Sequence, residues 1–180
     1  NVGRTGEFNA PGPLAEPSKA WSYDVGAPVK SSPVVVDGVV YLGADNGQFV
    51  ALDQATGIPR WTYNAGRGIR SSAAVLDGRV FFSHGGGVVA LDIETGQEIW
   101  KTSRGMWDDS PLVLEGPIPH RNGSTLEGII FSSVPWDGMI GLDVATGEEV
   151  WKYRDGHGPG RRGNSAFFHE GLIGFFRGSQ

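Results

Sequence analysis

Four tryptophans, Trp21, Trp61, Trp100 and Trp151, stand 40, 39 and 51 residues apart, and the last three close one recurring phrase. Ala51-Leu52-Asp53-Gln54-Ala55-Thr56-Gly57 leads to Trp61, and Ala90-Leu91-Asp92-Ile93-Glu94-Thr95-Gly96 leads to Trp100. Gly141-Leu142-Asp143-Val144-Ala145-Thr146-Gly147 leads to Trp151. A second phrase precedes each: Ser31-Ser32-Pro33, Ser71-Ser72-Ala73 and Asp109-Ser110-Pro111, with an echo at Asn164-Ser165-Ala166. A self-similar unit of about 40 residues belongs to propellers and solenoids. The contents of one unit decide between them.

In the first full unit, Pro33–Val36 is short and apolar and Asp37-Gly38 is a hairpin-turn signal. Val39–Gly43 continues as a β-branched and aromatic strand. Asp45-Asn46-Gly47 turns again, and Gln48–Asp53 makes a third strand. In the next turn the Asp53 side chain can accept backbone amides two and three residues on, while Gly57 can take a left-handed conformation. Ile58–Tyr63 is the fourth strand. Pro33 and Pro111 fit as first residues of a strand. Four antiparallel strands per unit make a blade, so the expected fold is all-β, a β-propeller almost without helix. A β-sandwich rarely repeats a phrase so closely, and solenoid coils are usually shorter.

Composition narrows the rest. The chain has 29 glycines among 180 residues, no cysteine, 19% charged residues and a formal net charge of −5. Glycine spaced between short apolar runs fits many strands joined by tight turns. No run approaches the roughly 18 apolar residues of a membrane helix. No charged-then-apolar start reads as a signal peptide, which leaves a cytosolic protein or one numbered after such a segment was removed. The absence of cysteine excludes disulfides, thiolate metal sites and haem attachment within this chain.

The phrase Ala-x-Asp-x-x-Thr-Gly-x-x-x-Trp, intact twice and with Gly141 for alanine once, resembles the tryptophan-docking motif of pyrroloquinoline-quinone (PQQ)-type propellers. The Ser-Ser-Pro and Asp-Gly phrases match that repeat too, and Gly3-Arg4-Thr5-Gly6 with Gly12-Pro13 resembles the mature start of such proteins. The resemblance implies that Trp21, Trp61, Trp100 and Trp151 lie between blades, each packing on small groups and donating its indole N–H to a main-chain carbonyl. A large ring needs alanine or glycine to lie against, and its one donor needs a partner when buried. Ala51, Asp53, Gly57, Ala90, Asp92, Gly96, Asp143 and Gly147 are the matching structural positions. Seven or eight blades are usual in this family, so about half a ring is expected here. Residues 1–20 form an extended segment, and the partial propeller covers 21–180. It comprises an outer strand at 21–25, blades at about 31–63, 71–102 and 109–153, and a partial blade at 164–180. An open half-ring exposes apolar blade faces that need covering.

Catalytic relatives of this type use adjacent cysteines, calcium-binding carboxylates and an aspartate in the central funnel. The cysteine pair is absent, and no ligand set is evident, so no catalytic, metal or cofactor-binding residue is assigned. His84, His120, His157 and His169 form no close-spaced pair on one strand face, and a solvated loop position is expected for each. Asp108-Asp109 reads either as a polar turn or as a cation- or base-orienting pair. Gly85-Gly86-Gly87 is no phosphate loop, because no helix follows it.

Two departures from the repeat carry the functional expectation. About twelve residues containing Pro117-Ile118-Pro119-His120-Arg121-Asn122-Gly123 lengthen a first-to-second strand turn on the bottom face. Six arginines, Arg67, Arg70, Arg104, Arg154, Arg161 and Arg162, fall in connections between blades on the top face. Asp108, Asp109 and Asp155 offset them in part, and Trp107 and Trp136 sit on the same face. Arginine forks suit carboxylates and phosphates, and arginine with tryptophan makes interface anchors. The competing account is solvation or local pairing. The mixed signs disfavour nucleic acid. The expectation is a non-catalytic periplasmic or extracellular scaffold, similar to the propeller lipoprotein of the outer-membrane β-barrel assembly machinery (BamB-like) rather than to the dehydrogenases. It would bind a protein partner, including whatever completes the ring, and would meet a membrane only through a partner. A quinone-dependent dehydrogenase fragment and the sensor part of a receptor or kinase are the alternatives.

Overall fold

The computed structural model describes residues 18–103, 109–134, 138–154, 166–169 and 172–175. No helix occurs among them. The first blade is a four-stranded antiparallel meander of β1 (Val34–Val36), β2 (Val39–Gly43), β3 (Gln48–Asp53) and β4 (Pro59–Asn64). The second repeats it with β5 (Ala74–Leu76), β6 (Arg79–His84), β7 (Gly87–Asp92) and β8 (Glu98–Lys101). The third contains β9 (Leu112–Pro119), β10 (Thr125–Val134), β11 (Gly138–Asp143) and β12 (Glu149–Tyr153). β13 (Ala166–His169) and β14 (Leu172–Phe175) form a further hairpin. This is part of a β-propeller. Pro33 and Pro111 each stand one place before their strand rather than in it.

Turn chemistry sets the meander. Asp37 and Gly38 both take positive φ, 47° and 74°, as do Asp77 and Gly78 at 46° and 70°. That combination matches the twist of two-residue hairpins. In the Asp-x-x-Thr-Gly turns the aspartate gathers the local donors. Asp53 Oδ1 accepts from the Ala55 and Thr56 amides and from Thr56 Oγ1, at 3.1, 3.1 and 3.0 Å. Asp92 does the same for Glu94 and Thr95. One residue bulges from each outer strand beside its tryptophan, so that Ala51 pairs with Trp61 while Leu52 pairs with Pro59. The same shift recurs at Ala90/Leu91 and Gly141/Leu142.

Blades pack face to face because alternate residues of each strand point to opposite neighbours. Tyr41, Phe49 and Ala51 of the first blade meet Val80, Phe82, Val89 and Leu91 of the second, with Ile69 buried beside them. The Phe49 and Phe82 rings stack with centroids 4.3 Å apart. Phe81, Val88 and Ala90 meet Ile130, Ile140, Leu142 and Val144 of the third blade. Val75 and Val113 pack against these two clusters, whereas Val35, at the matching place in the first blade, is 52% exposed. The first blade's outer face thus lacks a covering blade among the described residues.

Two sets of contacts cross from blade to blade. At the outside, the Trp21, Trp61 and Trp100 indoles donate to the carbonyls of Gln54, Ile93 and Val144 at 2.8, 2.9 and 3.0 Å. Each ring lies over the glycine that ends the next Asp-x-x-Thr-Gly turn, so closely that a Cβ on Gly57, Gly96 or Gly147 would meet it at 2.5–2.6 Å. Trp151 instead contacts Phe131 and Tyr153. At the inner strands the serine phrase does two jobs. Ser31 and Ser71 bond both the N–H and C=O of Gly43 and Ser83 in their own blades, at 2.8–3.1 Å. The amides of Ser32 and Ser72 donate to the hydroxyls of Ser72 and Ser110 in the next blade. The segment Trp21–Val25, expected as an outer strand, has no ladder partner among the described residues. Its indole bond and the Asn46 Nδ2 donation to the Val25 carbonyl hold it in place.

Candidate functional site

The turn from second to third strand differs sharply between the first two blades. In the first, Ala44 to Gln48 forms a five-residue turn in which Asp45 takes Lys30 Nζ at 2.6 Å and Arg70 Nε at 2.9 Å. Those two cations hold the Asp45 carboxyl below its ordinary range, Lys30 foremost. Asp45 thereby ties the connection entering its own blade to the one entering the next. In the second blade the turn is one residue shorter, because His84 pairs directly with Gly87 across Gly85-Gly86. No carboxylate stands there. Nothing lies within 4 Å of a Cβ built on Gly85.

The shortening leaves a cleft of about 810 Å³ on the top face. Tyr63, Asn64, Ala65, Gly66 and Arg67 supply one wall, His84, Gly85 and Gly86 the floor, and Lys101, Thr102 and Ser103 the other wall. His84 is buried at 7% exposure, not solvated as a loop histidine would be. Its Nδ1 accepts the Gly86 amide at 2.8 Å, which leaves Nε2 to carry the proton of the neutral ring. It occupies the place of Ala44, where β-pairing rather than the glycine run decides burial. At the outer margin Tyr63 Oη donates to Glu98 at 2.5 Å, and Lys101 pairs with the same carboxylate at 3.1 Å. Burial and that bond push the Tyr63 phenol up, and the bond holds the Glu98 carboxyl down.

Of the six rim arginines, Arg67, Arg70 and Arg154 are described, and all three are exposed. Arg67 lines the cleft, and no carboxylate among the described residues pairs with it. Arg70 is held by Asp45, so part of its charge is spent within the fold. Arg154 follows β12. Arg104, Trp107, Asp108, Trp136, Arg161 and Arg162 lie outside the described residues. Asp109 is buried at 9% exposure rather than in a solvated turn. It stands where the other blades have Ser31 and Ser71, and Ser133 Oγ donates to it.

On the bottom face the twelve-residue insertion is not an irregular loop. It prolongs β9 and β10 into a hairpin whose tip, His120 to Ser124, closes with His120 N–H donating to the Ser124 carbonyl at 2.9 Å. Asn122 Oδ1 collects His120 Nδ1, Ser124 N and Ser124 Oγ, while Arg121 is exposed. Arg79 of the second blade reaches Glu127 of this hairpin at 3.2 Å. A smaller cleft of about 380 Å³ at its base is lined by Asp77, Glu115 and Glu127 among others. The hairpin and the arginine rim therefore lie at opposite ends of the strands.

The chain has no cysteine, and no three histidine, aspartate or glutamate side chains among the described residues converge as metal ligands. No helix among the described residues is long and apolar enough to cross a membrane.

The family model described as outer membrane protein assembly factor BamB matches residues 17–110, more than half of the chain. The chain belongs to that family. Among solved structures this BamB-family chain is similar to BamB from Moraxella catarrhalis, with a TM-score of 0.69 and 20% identity. That match covers 89% of this chain and 50% of the other, so the chain spans half of that structure. It is also similar to the quinohemoprotein alcohol dehydrogenase from Comamonas testosteroni, with a TM-score of 0.57 and 26% identity over 71% of this chain and 21% of that one. The polyvinylalcohol dehydrogenase of Sphingopyxis sp. (strain 113P3) is 36% identical over 77 residues, 36% of this chain and 11% of that protein. The BamB-family chain thus spans only a small part of that relative.

Proposed function

We propose that this chain is part of a non-catalytic, extracytoplasmic scaffold that docks another protein, with the four tryptophans serving as latches between blades. One observation carries the reading. The repeated residues are spent on contacts between and within blades, while the places where the repeat breaks open a cationic cleft on the top face and raise a hairpin on the bottom. Such rigid scaffolds with loop-borne variation commonly carry recognition. The partner surface takes in Arg67, Arg70, Arg104, Trp107, Asp108, Trp136, Arg154, Arg161 and Arg162 on the rim, or His120 and Arg121 on the hairpin. Cross-linking and pull-down from a periplasmic extract test it. Replacing Arg161 and Arg162 with glutamate, alone and with Arg67→Glu, should reduce capture of the same partner band. Unchanged capture would sink the top-face version, and hairpin-tip substitutions then decide for the bottom.

A second reading is a quinone-dependent dehydrogenase whose cofactor site lies elsewhere in a longer protein. The match to a polyvinylalcohol dehydrogenase favours it. Its test is the absorption spectrum after incubation with PQQ and calcium, followed by dye reduction with alcohols. A quinone-dependent rate would carry the enzyme reading instead.

A further inference from the structure

We propose that the cleft over Gly85-Gly86 is a carboxylate site for an acidic, extended segment of a protein partner, with Arg67 as its principal contact. This rests on the docking reading and names the chemistry of the partner.

The first blade shows what the cleft lacks. There a carboxylate of the chain itself, Asp45, sits in the turn and satisfies two cations at 2.6 and 2.9 Å. In the second blade the turn has lost that side chain and one residue, and the volume is open. Two cations of other repeat positions, Arg67 and Lys101, line the cleft, and no acidic residue is among its lining. Three other described arginines have acids, Arg60 with Asp53, Arg70 with Asp45 and Arg79 with Glu127. Arg67 has none among the described residues, so a planar fork with several donors faces an empty groove. A guanidinium in such a place recognises a carboxylate through two parallel bonds. Lys101, though shared with Glu98, adds positive charge on the opposite wall.

The shape argues for a segment of chain. The cleft runs across the ends of β4, β6 and β8, and its floor and one lip are glycine backbone at Gly66, Gly85 and Gly86. Bare peptide groups let another backbone approach closely. Burying an extended strand there would leave its acidic side chains reaching the two cationic walls. Gly86 itself cannot take a side chain, since its Cβ would meet the His84 ring at 2.5 Å. His84 thus braces the floor as a positioning residue.

The probe is a fluorescein-labelled peptide of alternating glutamate and serine, with a glutamine-serine peptide of equal length as control. Fluorescence anisotropy on the full chain reads binding. The glutamate peptide should bind about tenfold or more tightly than the control. Its affinity should fall severalfold between about 50 and about 300 mM salt. Arg67→Glu should weaken it about tenfold or more, and Arg67→Lys by less, because the point charge survives without the fork. Gly85→Asp supplies the carboxylate that Asp45 provides in the first blade and should block the cleft to a similar degree. Its Cβ meets nothing within 4 Å, and circular dichroism should show the fold unchanged.

Equal binding of both peptides, or indifference to Arg67→Glu and Gly85→Asp, overturns the proposal. Binding of glutarate or citrate without binding of the peptide overturns it in favour of a small-molecule site. The two readings separate cleanly. Partner capture that survives Gly85→Asp but fails on changes to the hairpin leaves the scaffold and removes the cleft. Peptide binding with no partner capture leaves the cleft and removes the scaffold.

Discussion

Gly96→Ala tests whether the tryptophan contacts hold blades together, and the fold supplies its own control. Gly96 and Gly78 have nearly the same backbone, φ 69° and 70°. A Cβ at Gly78 meets nothing within 4 Å, whereas at Gly96 it meets the Trp61 ring at 2.6 Å. Alanine at either site costs about 1–2 kcal/mol for left-handed backbone. Only at Gly96 must the indole also retreat, by about 1 Å to regain an ordinary contact near 3.5 Å. A retreat of that size stretches its 2.9 Å bond to the Ile93 carbonyl towards breaking. Losing the bond costs about 1 kcal/mol. Disturbing the contacts of Trp61 with Tyr41 and Phe49 costs about 0.5–1.5 kcal/mol more. Gly96→Ala should therefore cost about 3–4 kcal/mol and Gly78→Ala about 1–2, a gap near 2 kcal/mol. Urea titration followed by tryptophan fluorescence and far-ultraviolet circular dichroism measures both. Equal losses would refute the claim that the ring over the glycine contributes to stability.

Three further outcomes follow from the same geometry. Ser71→Ala removes the group that serves both the N–H and C=O of Ser83, and should cost about 1–3 kcal/mol in urea unfolding. Ser132→Ala should be neutral or stabilising, because the buried Ser132 hydroxyl has no hydrogen-bond partner among the described residues; a loss as large as that of Ser71→Ala would contradict this. Asp53 is drawn down to about 2, chiefly by Arg60 and then by Thr56. A depressed carboxyl lends stability that is present above its ordinary value near 4 and is lost as pH falls through about 2. The melting temperature of Asp53→Asn should consequently fall less over that acid range than that of the parent chain. The difference should be small, because Asp53 is solvent-accessible and screened.

Much of this architecture was legible because the same chemical solution is written three times. The Asp-x-x-Thr-Gly phrase names an acceptor, its local donors and a residue free to take positive φ, so the turn is readable without the fold. Strand order follows from turn signals such as Asp37-Gly38 and Asp77-Gly78. The bulge beside each tryptophan was not legible, since nothing in Arg60, Ile99 or Val150 marks an extra residue. The serine phrase was visible as a repeat, but its bonds run to strands 12 residues away and to the next blade, which spacing alone cannot disclose. His84 misled for a related reason. Glycines after it suggested a solvated loop, yet pairing with Gly87 continues the ladder to the turn and buries the ring.

The rim arginines show where charge counting stops being informative. In sequence Arg67 and Arg70 are equivalent, two cations three places apart in one connection. In the fold Arg70 turns back to Asp45 and closes the first blade's rim, while Arg67 faces the second blade's shortened turn. The difference arises from which neighbouring turn carries an aspartate. A repeat unit whose turn is shorter and lacks the acid thus opens a cleft where its neighbour is filled, with cations of the adjoining connections on its walls. The same logic reads the third blade, where Asp109 replaces the inner serine and takes Ser133 as its donor. There an acid stands at a buried position and is satisfied within the fold, so that change alters the inside of a blade, whereas the shorter turn beside Arg67 alters the surface of the rim.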